Sequence, residues 1–411
     1  MRRLVLALIL LVGPPAFGAA DADLAPFAAK LAEIRAMPKD QQAERGSSAQ
    51  LTEAKHLLRD WVEHEMGALE QADAAAGLGD QLNKRLREAG LECDSTDDPQ
   101  GKRCEGRDDA DFMFNALGYA GDLKFVWTVP HNYLALITAL GIGCGYDESV
   151  YVYQHQDDGW HRLLDSERDT YTAEAYKPQN VNDVLISQPP EGGKPPLVLT
   201  TGISPWCSSN WQAVYYRLWR IAPDSLTPKP LVDDEGSVFL TDAPVQARIS
   251  PDDALIEYND RSIDSGVFTR VVVRHFQVGG DGTARRTAPF ALTPRALVDE
   301  WLVRPWSESL QWTDPKARSR LVSWHRKLHS AVVGGDYGAD GGRCRNDPMR
   351  WSIPFTFEDP PEPVPPLYFT VRWVPPADLT LLDISPKPPA GCKPERVKVD
   401  DGAMSFPGDG P

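Results

Sequence analysis

Carboxylate and aromatic side chains gather in three short segments, residues 141–149, 203–211 and 259–266, each of which follows an apolar run typical of a strand. A tryptophan ring offers apolar area, and neighbouring acids and amides can orient hydroxyl or amino groups. The pattern predicts a binding face for a sugar or a peptide, built from Asp147, Glu148, Trp206, Asn210, Trp211 and Asp260. The alternative is that both tryptophans pack over a disulfide and that the acids are solvated.

Paired carboxylates can also hydrolyse glycosidic bonds if two acids are held at a defined separation. Asp147 and Glu148 are adjacent, so at a strand end their side chains would point apart, and we predict no catalytic residue from them. His325 and His329 have the spacing of a metal-binding helix, but the apolar stripe places them on the exposed side. We therefore predict a surface helix there, with no metal and no cofactor.

A repeat organises the segments that carry these side chains. The pattern Leu-x-Leu-x-Thr, followed by a cysteine, occupies residues 134–144 and again 197–207, and Tyr153 and Tyr216 match at the same offset. A third copy begins near Leu255 and has Ser265 in place of the cysteine. Units of about 60 residues with short antiparallel strands predict a mainly β fold of propeller-like repeats. A β-sandwich is the alternative.

Helical patterns flank and interrupt the strands. Residues 21–90 form a predicted N-terminal helical region, and residues 91–108 a junction stapled by a disulfide. The β-rich domain then covers 109–411 with a helical insertion at 291–334, where two helices near 294–333 open at Thr293-Pro294 and Asp314-Pro315.

The N-terminus has the pattern of a secretory signal peptide over residues 1–20. Arg2 and Arg3 precede a short apolar run, and small residues allow cleavage before Asp21. We expect export to the periplasm or the medium, with no membrane-spanning segment in the mature chain. An exported chain with an even number of cysteines predicts three disulfides, with sequence neighbours paired: Cys93–Cys104, Cys144–Cys207 and Cys344–Cys392.

The composition of the chain argues against some classes of binding partner. The chain has 411 residues and a formal net charge of −16, which argues against nucleic acid and anionic membranes as partners. No catalytic motif such as the GxSxG elbow of serine hydrolases is present in the sequence. The leading hypothesis is a non-catalytic exported binding or scaffold protein with a protein or glycan partner. The alternative is a secreted hydrolase that acts on a carbohydrate or a peptide. The oligomeric state is left open.

Overall fold

A computed structural model describes most of the chain outside its two ends. The described ranges are 23–37, 48–69, 77–92, 117–128, 133–142, 145–167, 180–190, 194–204, 211–221, 228–239, 245–263, 269–329, 331, 333–334, 341–358, 364–376 and 378–392. The chain forms two compact units, Met1–Asn180 and Val181–Pro411.

Three helices open the first unit, within the region that the sequence predicted to be helical: α1 (Ala25–Ala36), α2 (Ser48–Gly67) and α3 (Leu78–Glu88). In α1 the apolar residues Phe27, Leu31 and Ile34 recur at helical spacing, and all three are buried. The chain leaves α3 through Gly90, which has a φ of +67° and therefore a conformation that glycine adopts easily.

A four-stranded antiparallel meander completes the first unit: β1 (Lys124–Trp127), β2 (Tyr133–Ile142), β3 (Gly145–Gln156) and β4 (Gly159–Ser166). Leu134 lies opposite Tyr153 and Leu136 lies opposite Tyr151, so these four side chains share one face of the sheet. All four belong to the same buried core as the apolar residues of the three helices.

Two further meanders begin the second unit. The first contains β5 (Asn180–Ile186), β6 (Leu197–Ile203), β7 (Trp211–Arg220) and β8 (Val232–Phe239). The second contains β9 (Gln246–Ser250), β10 (Asp253–Arg261), β11 (Thr269–Val278) and β12 (Ala284–Arg286). The two sheets share a core of aliphatic and aromatic side chains.

The helical insertion follows as α4 (Pro294–Val303), α5 (Trp306–Ser309), a 3-10 turn (Leu310–Trp312) and α6 (Arg318–Leu328). The Thr293 hydroxyl caps α4 by accepting a hydrogen bond of 3.1 Å from the Ala296 N–H, as the sequence predicted. The last sheet has five strands: β13 (Val333–Gly334), β14 (Gly342–Cys344), β15 (Asp347–Phe357), β16 (Leu367–Val374) and β17 (Asp378–Ser385).

Four successive antiparallel sheets confirm the prediction of a mainly β fold. The matched tyrosines, however, are not structural equivalents. Leu134 faces Tyr153, whereas Leu197, the equivalent leucine of the second copy, faces Arg220 and not Tyr216, because the second hairpin is longer. Tyr216 instead faces Thr201. The repeat in the sequence therefore marks the same strand in two sheets but not the same cross-strand pair.

One predicted disulfide falls within the described residues and is present, Cys344–Cys392. The other four cysteines, Cys93, Cys104, Cys144 and Cys207, lie outside those residues. In the described part of the chain, no helix has both the length and the apolar character needed to cross a membrane.

Candidate functional site

Asp147 and Glu148 lie inside β3 and not in a loop. Asp147 forms a 2.6 Å ion pair with Lys55 of α2, and both side chains are buried. Glu148 forms a 3.0 Å pair with Lys124 of β1. Because successive strand residues point to opposite faces, the two acids serve different faces of the sheet.

Trp211 and Asp260 lie in the second unit, at the ends of β7 and β10. Trp211 packs edge-on against Phe239, and the guanidinium of Arg261 lies 5.1 Å from the centre of its indole ring. Asp260 accepts a 2.8 Å hydrogen bond from the Ser237 hydroxyl.

The residues predicted to form one face thus lie in two units, and two of them, Trp206 and Asn210, lie outside the described residues. Their role as a binding face stays a prediction. A different set of polar side chains converges within the first unit.

A polar row runs along α2 at intervals of four residues. Lys55 pairs with Asp147, the Arg59 guanidinium lies 5.7 Å from the ring centre of Tyr151, and Glu63 accepts a 3.0 Å hydrogen bond from the Tyr153 hydroxyl. Residues at i and i+4 share a helix face, and alternate strand residues share a sheet face, so α2 and β3 present matching rows.

Two carboxyl groups meet at the middle of this row. Asp165 lies opposite Tyr151 in the sheet, and Glu167 follows two residues later. One guanidinium nitrogen, Arg59 Nη1, contacts Asp165 Oδ2 at 3.4 Å and Glu167 Oε1 at 3.1 Å. Because both oxygens contact the same nitrogen, the distance between Asp165 Oδ2 and Glu167 Oε1 cannot exceed the sum of the two contact distances. We call Asp165 and Glu167 the carboxyl pair.

The two members of the carboxyl pair have different surroundings. Glu167 is 4% exposed and also accepts a hydrogen bond from the Tyr151 hydroxyl and has a 2.8 Å contact with His56 Nε2. Asp165 is 16% exposed and contacts Arg59 only at 3.4 Å. Burial, and then the charge of Glu167, raise the pKa of Asp165 to about 6. Asp165 can consequently hold or release a proton near neutral pH, beside a carboxylate held by three neighbours.

A second charged cluster lies in the second unit around Glu300 of α4, which is fully buried. Arg274 Nη1 donates to Glu300 Oε2 at 2.7 Å, and Arg270 pairs with Oε1. Arg286 and Arg304 lie 3.4 Å and 3.6 Å from Oε2. Burial alone would raise the pKa of Glu300, but the four guanidinium groups outweigh it and hold that pKa well below its usual range. This cluster ties α4 to β11 and β12.

The two histidines of α6 are not both on a surface, so that prediction is wrong for His325. His325 is 4% exposed, and its Nε2 bonds the Arg304 carbonyl at 2.9 Å. His329 stacks on it with ring centres 5.1 Å apart and bonds the Leu302 carbonyl through Nδ1. The rings satisfy carbonyls at the end of α4, which the apolar stripe alone did not indicate. Across the described residues, no group of three or more histidine, cysteine, aspartate or glutamate side chains is placed to hold a metal ion.

Sequence reasoning missed the carboxyl pair, although two signals were present. Asp165 and Glu167 are separated by one residue, which puts both on one face of a strand. Lys55, Arg59 and Glu63 are spaced by four, which puts them on one face of a helix. What joins the two rows is a tertiary contact between positions that are distant in the sequence.

No protein-family model and no curated protein sequence matches this chain. Among solved structures, it is similar to a GH93 α-L-arabinofuranosidase of Fusarium graminearum in complex with arabinobiose, at 10% identity and a TM-score of 0.28 over 67% of each chain. The structure of that fungal enzyme with an iminosugar inhibitor matches at 10% identity and a TM-score of 0.29, over 69% of this chain and 67% of the other. A candidate glycosidase from Bacteroides thetaiotaomicron matches at 9% identity and a TM-score of 0.21, over 60% of this chain and 67% of the other.

The expectation of a non-catalytic binding or scaffold protein is corrected by these comparisons. The three solved structures above carry the names of a glycoside hydrolase or a glycosidase, not of a binding or scaffold protein. At 9–10% identity and these TM-scores, the activity of those proteins is not assigned to this chain. The chemistry of this chain has to come from its own side chains, and the carboxyl pair is where they converge.

Proposed function

We propose that the chain is an exported glycoside hydrolase that uses the carboxyl pair. One observation carries the proposal: Asp165 and Glu167 share a single guanidinium nitrogen, while the pKa of Asp165 is raised to about 6. Glycoside hydrolysis requires one carboxyl group that keeps its proton and a second that is ionised. Asp165 has the raised pKa of the first group, and Glu167, which contacts Arg59, Tyr151 and His56, takes the place of the second.

In the proposed reaction, Asp165 donates its proton to the glycosidic oxygen as the bond from the anomeric carbon to that oxygen breaks. The Glu167 carboxylate attacks the anomeric carbon and forms an ester with the sugar. Asp165, now ionised, takes a proton from water, and the resulting hydroxide displaces Glu167. Direct attack of this kind typically uses carboxyl groups about 5–5.5 Å apart, a separation that the shared contacts with Arg59 Nη1 allow.

Three neighbours position Glu167. The Tyr151 hydroxyl and Arg59 Nη1 donate to Oε1, and His56 contacts Oε2. Burial, and then the charge of Glu167, raise the pKa of Tyr151, so Tyr151 remains a hydrogen-bond donor throughout the neutral range. His56 is 45% exposed and Asp165 is 16% exposed, so both lie partly in solvent.

The test is reducing-sugar release from soluble polysaccharides (arabinan, xylan, mannan and mixed-linkage β-glucan) by the full chain. We expect activity on at least one of them, and a loss of about 100-fold or more, the usual effect of removing an acid–base group, in Asp165→Asn and Glu167→Gln. Asp158→Asn is the matched control, because Asp158 is an exposed acid at the β3–β4 turn that contacts His161. Equal activity in all variants would overturn the proposal.

We further propose that the four sheets are blades of a propeller-like arrangement. Four consecutive antiparallel sheets, three of them simple four-stranded meanders, support it. The Cys144–Cys207 disulfide that the sequence predicts remains part of this proposal. Peptide mapping without reduction tests that bond and Cys93–Cys104, and N-terminal sequencing of the exported protein tests cleavage before Asp21.

A further inference from the structure

An aromatic strip crosses the sheet face that carries the carboxyl pair. Trp127 of β1 and Trp160 of β4 have ring centres 5.8 Å apart, and His155 lies 4.9 Å from Trp160. β1 and β4 are the two edges of the sheet, separated by two strands and so by about 14 Å of backbone. The two indole rings must therefore reach inward across the sheet face to meet.

The sheet register places this strip beside the proposed catalytic groups. One row of cross-strand neighbours runs from β1 to β4. It contains, in strand order, Trp127, Leu134, Tyr153 and Arg162. Tyr153 shares its face with Tyr151, which lies opposite Asp165. Trp160 lies opposite His155 and Asp165 lies opposite Tyr151, and the four residue steps from Tyr151 to His155 on β3 span about 13 Å. The register shift of β4 between Arg162 and Leu164 is a bulge, and it puts Trp160 and Asp165 on the same face.

Two side-chain N–H groups of β4 lie at this strip. Neither Trp160 Nε1 nor Arg162 Nε has a hydrogen-bond partner within the described part of the chain, and both atoms are buried. Arg162 lies opposite Tyr153 and Trp160 lies opposite His155, so the two donors share the sheet face of Tyr151 and Asp165. Buried N–H groups in native proteins are almost always satisfied by protein, water or ligand.

We propose that Trp127, His155 and Trp160, with Arg162, form a subsite for a neutral oligosaccharide whose cleaved bond lies at the carboxyl pair. Indole rings supply apolar area for the C–H face of a sugar, and hydroxyl oxygens accept hydrogen bonds from the two N–H groups. A span of about 13 Å requires more than one sugar unit and excludes a single ring. The net charge of −16 and the nearby Glu63 disfavour a polyanion.

This inference rests on the proposed function for its catalytic end but can be tested by binding alone. The assay is affinity electrophoresis of the full chain in gels that contain each neutral polysaccharide of the activity panel, with polygalacturonate as the anionic comparison. Trp160→Ala and Trp127→Ala should each weaken retardation by about tenfold, which corresponds to 1.4 kcal/mol. Trp160→Phe keeps a ring but loses the N–H, so we expect a smaller loss, as we do for Arg162→Lys.

Trp373→Ala is the matched control, because Trp373 is a half-buried tryptophan of the second unit whose N–H already donates to the Pro376 carbonyl at 3.3 Å. It should leave retardation unchanged, and thermal unfolding checks that each variant is folded. If either alanine variant is unfolded, Trp160→Phe and Arg162→Lys decide the question. Wild-type retardation in those variants, no retardation of the wild type, or stronger retardation by polygalacturonate would overturn the subsite.

The two proposals fail separately. Retardation that depends on the aromatic strip, with no sugar released, would leave the subsite standing and remove the hydrolase. Sugar release that needs the carboxyl pair, with retardation unaffected by the tryptophan variants, would remove only the subsite.

Discussion

Lys55 of α2 and Asp147 of β3 form an ion pair of 2.6 Å between side chains that are 1% and 0% exposed. A buried pair stabilises a fold weakly, but the loss of one partner leaves an uncompensated charge in the core. The pair therefore fixes how α2 lies along the sheet, and with it the position of Arg59 one helical turn later.

We expect Asp147→Ala to lower the free energy of unfolding by about 3–5 kcal/mol, because the buried Lys55 ammonium loses the Asp147 carboxylate 2.6 Å away. Urea unfolding of the full chain, followed by tryptophan fluorescence, measures this. The double variant Lys55→Met/Asp147→Leu should lose clearly less. Glu53→Gln, which removes an exposed partner of Lys30 at 2.6 Å, should cost less than about 1 kcal/mol. A double variant as unstable as Asp147→Ala would contradict this account.

Local patterns in the sequence predicted the parts of the fold that depend on neighbours in the chain. The spacing of Phe27, Leu31 and Ile34 predicted α1, and Thr293 followed by Pro294 predicted the start of α4. The Cys344–Cys392 bond was predicted because the two are consecutive cysteines in the sequence. Each of these follows from helix periodicity, capping or chain proximity.

The carboxyl pair depends on a contact that no local pattern contains. Arg59 reaches Asp165 and Glu167 across 106 and 108 residues of sequence, and only the packing of α2 on the sheet brings them together. The tyrosine match failed for a related reason. A longer second hairpin shifts the register of β7, so a fixed offset in sequence no longer means the same place in the sheet.

The raised pKa of Asp165 predicts a specific dependence of stability on pH. Between the usual value of 3.8 and about 6, the folded chain holds a proton that the unfolded chain has lost. The contribution of Asp165 to stability therefore falls as pH rises through that window, by at most about 3 kcal/mol at 1.36 kcal/mol per pKa unit. The free energy of unfolding of Asp165→Asn minus that of the wild type should rise from pH 4 to pH 7.

The difference between the two proteins is the quantity to measure, because other groups titrate in the same range. Burial, and then the charge of Asp122, raise the pKa of Glu92 to about 7, and this effect cancels in the comparison. Urea unfolding at half-unit pH intervals gives both curves. Parallel curves for wild type and Asp165→Asn would show that Asp165 titrates normally. If the hydrolase proposal holds, kcat/KM should also decline above about pH 6 as Asp165 loses its proton.

The Cys344–Cys392 bond closes a segment with a sequence separation of 48. A cross-link of that length restricts the unfolded chain, so the double variant Cys344→Ser/Cys392→Ser should lose about 2–4 kcal/mol of unfolding free energy. Thermal unfolding without reductant measures the loss. Ser307→Ala, a change at an exposed helix position of the same unit, serves as the control and should have little effect. An unchanged unfolding temperature in the double variant would contradict this expectation.

Among the charge variants considered for the second unit, we expect a substitution of Glu300 to lower the free energy of unfolding most. Its buried carboxylate is the shared partner of Arg270, Arg274, Arg286 and Arg304, and without it these guanidinium groups face one another in the core. Burial, and then the charge of Arg274, already lower the pKa of Arg286 to about 10. Glu300→Gln should therefore cost at least about 3–5 kcal/mol, the usual effect of breaking a buried pair.

Glu308→Gln is the matched comparison, because Glu308 contacts the same Arg286 at 3.2 Å but is 32% exposed. It should cost about 1 kcal/mol or less, since solvent screens a partly exposed pair. Each substitution removes one negative charge that pairs with Arg286, so the two variants differ in the burial of the lost carboxylate and not in the change of net charge. Urea unfolding measures the loss of unfolding free energy in each. Equal losses would mean that net charge governs the cluster. A large loss in Glu300→Gln alone would locate the effect in the buried carboxylate that joins α4 to β11 and β12.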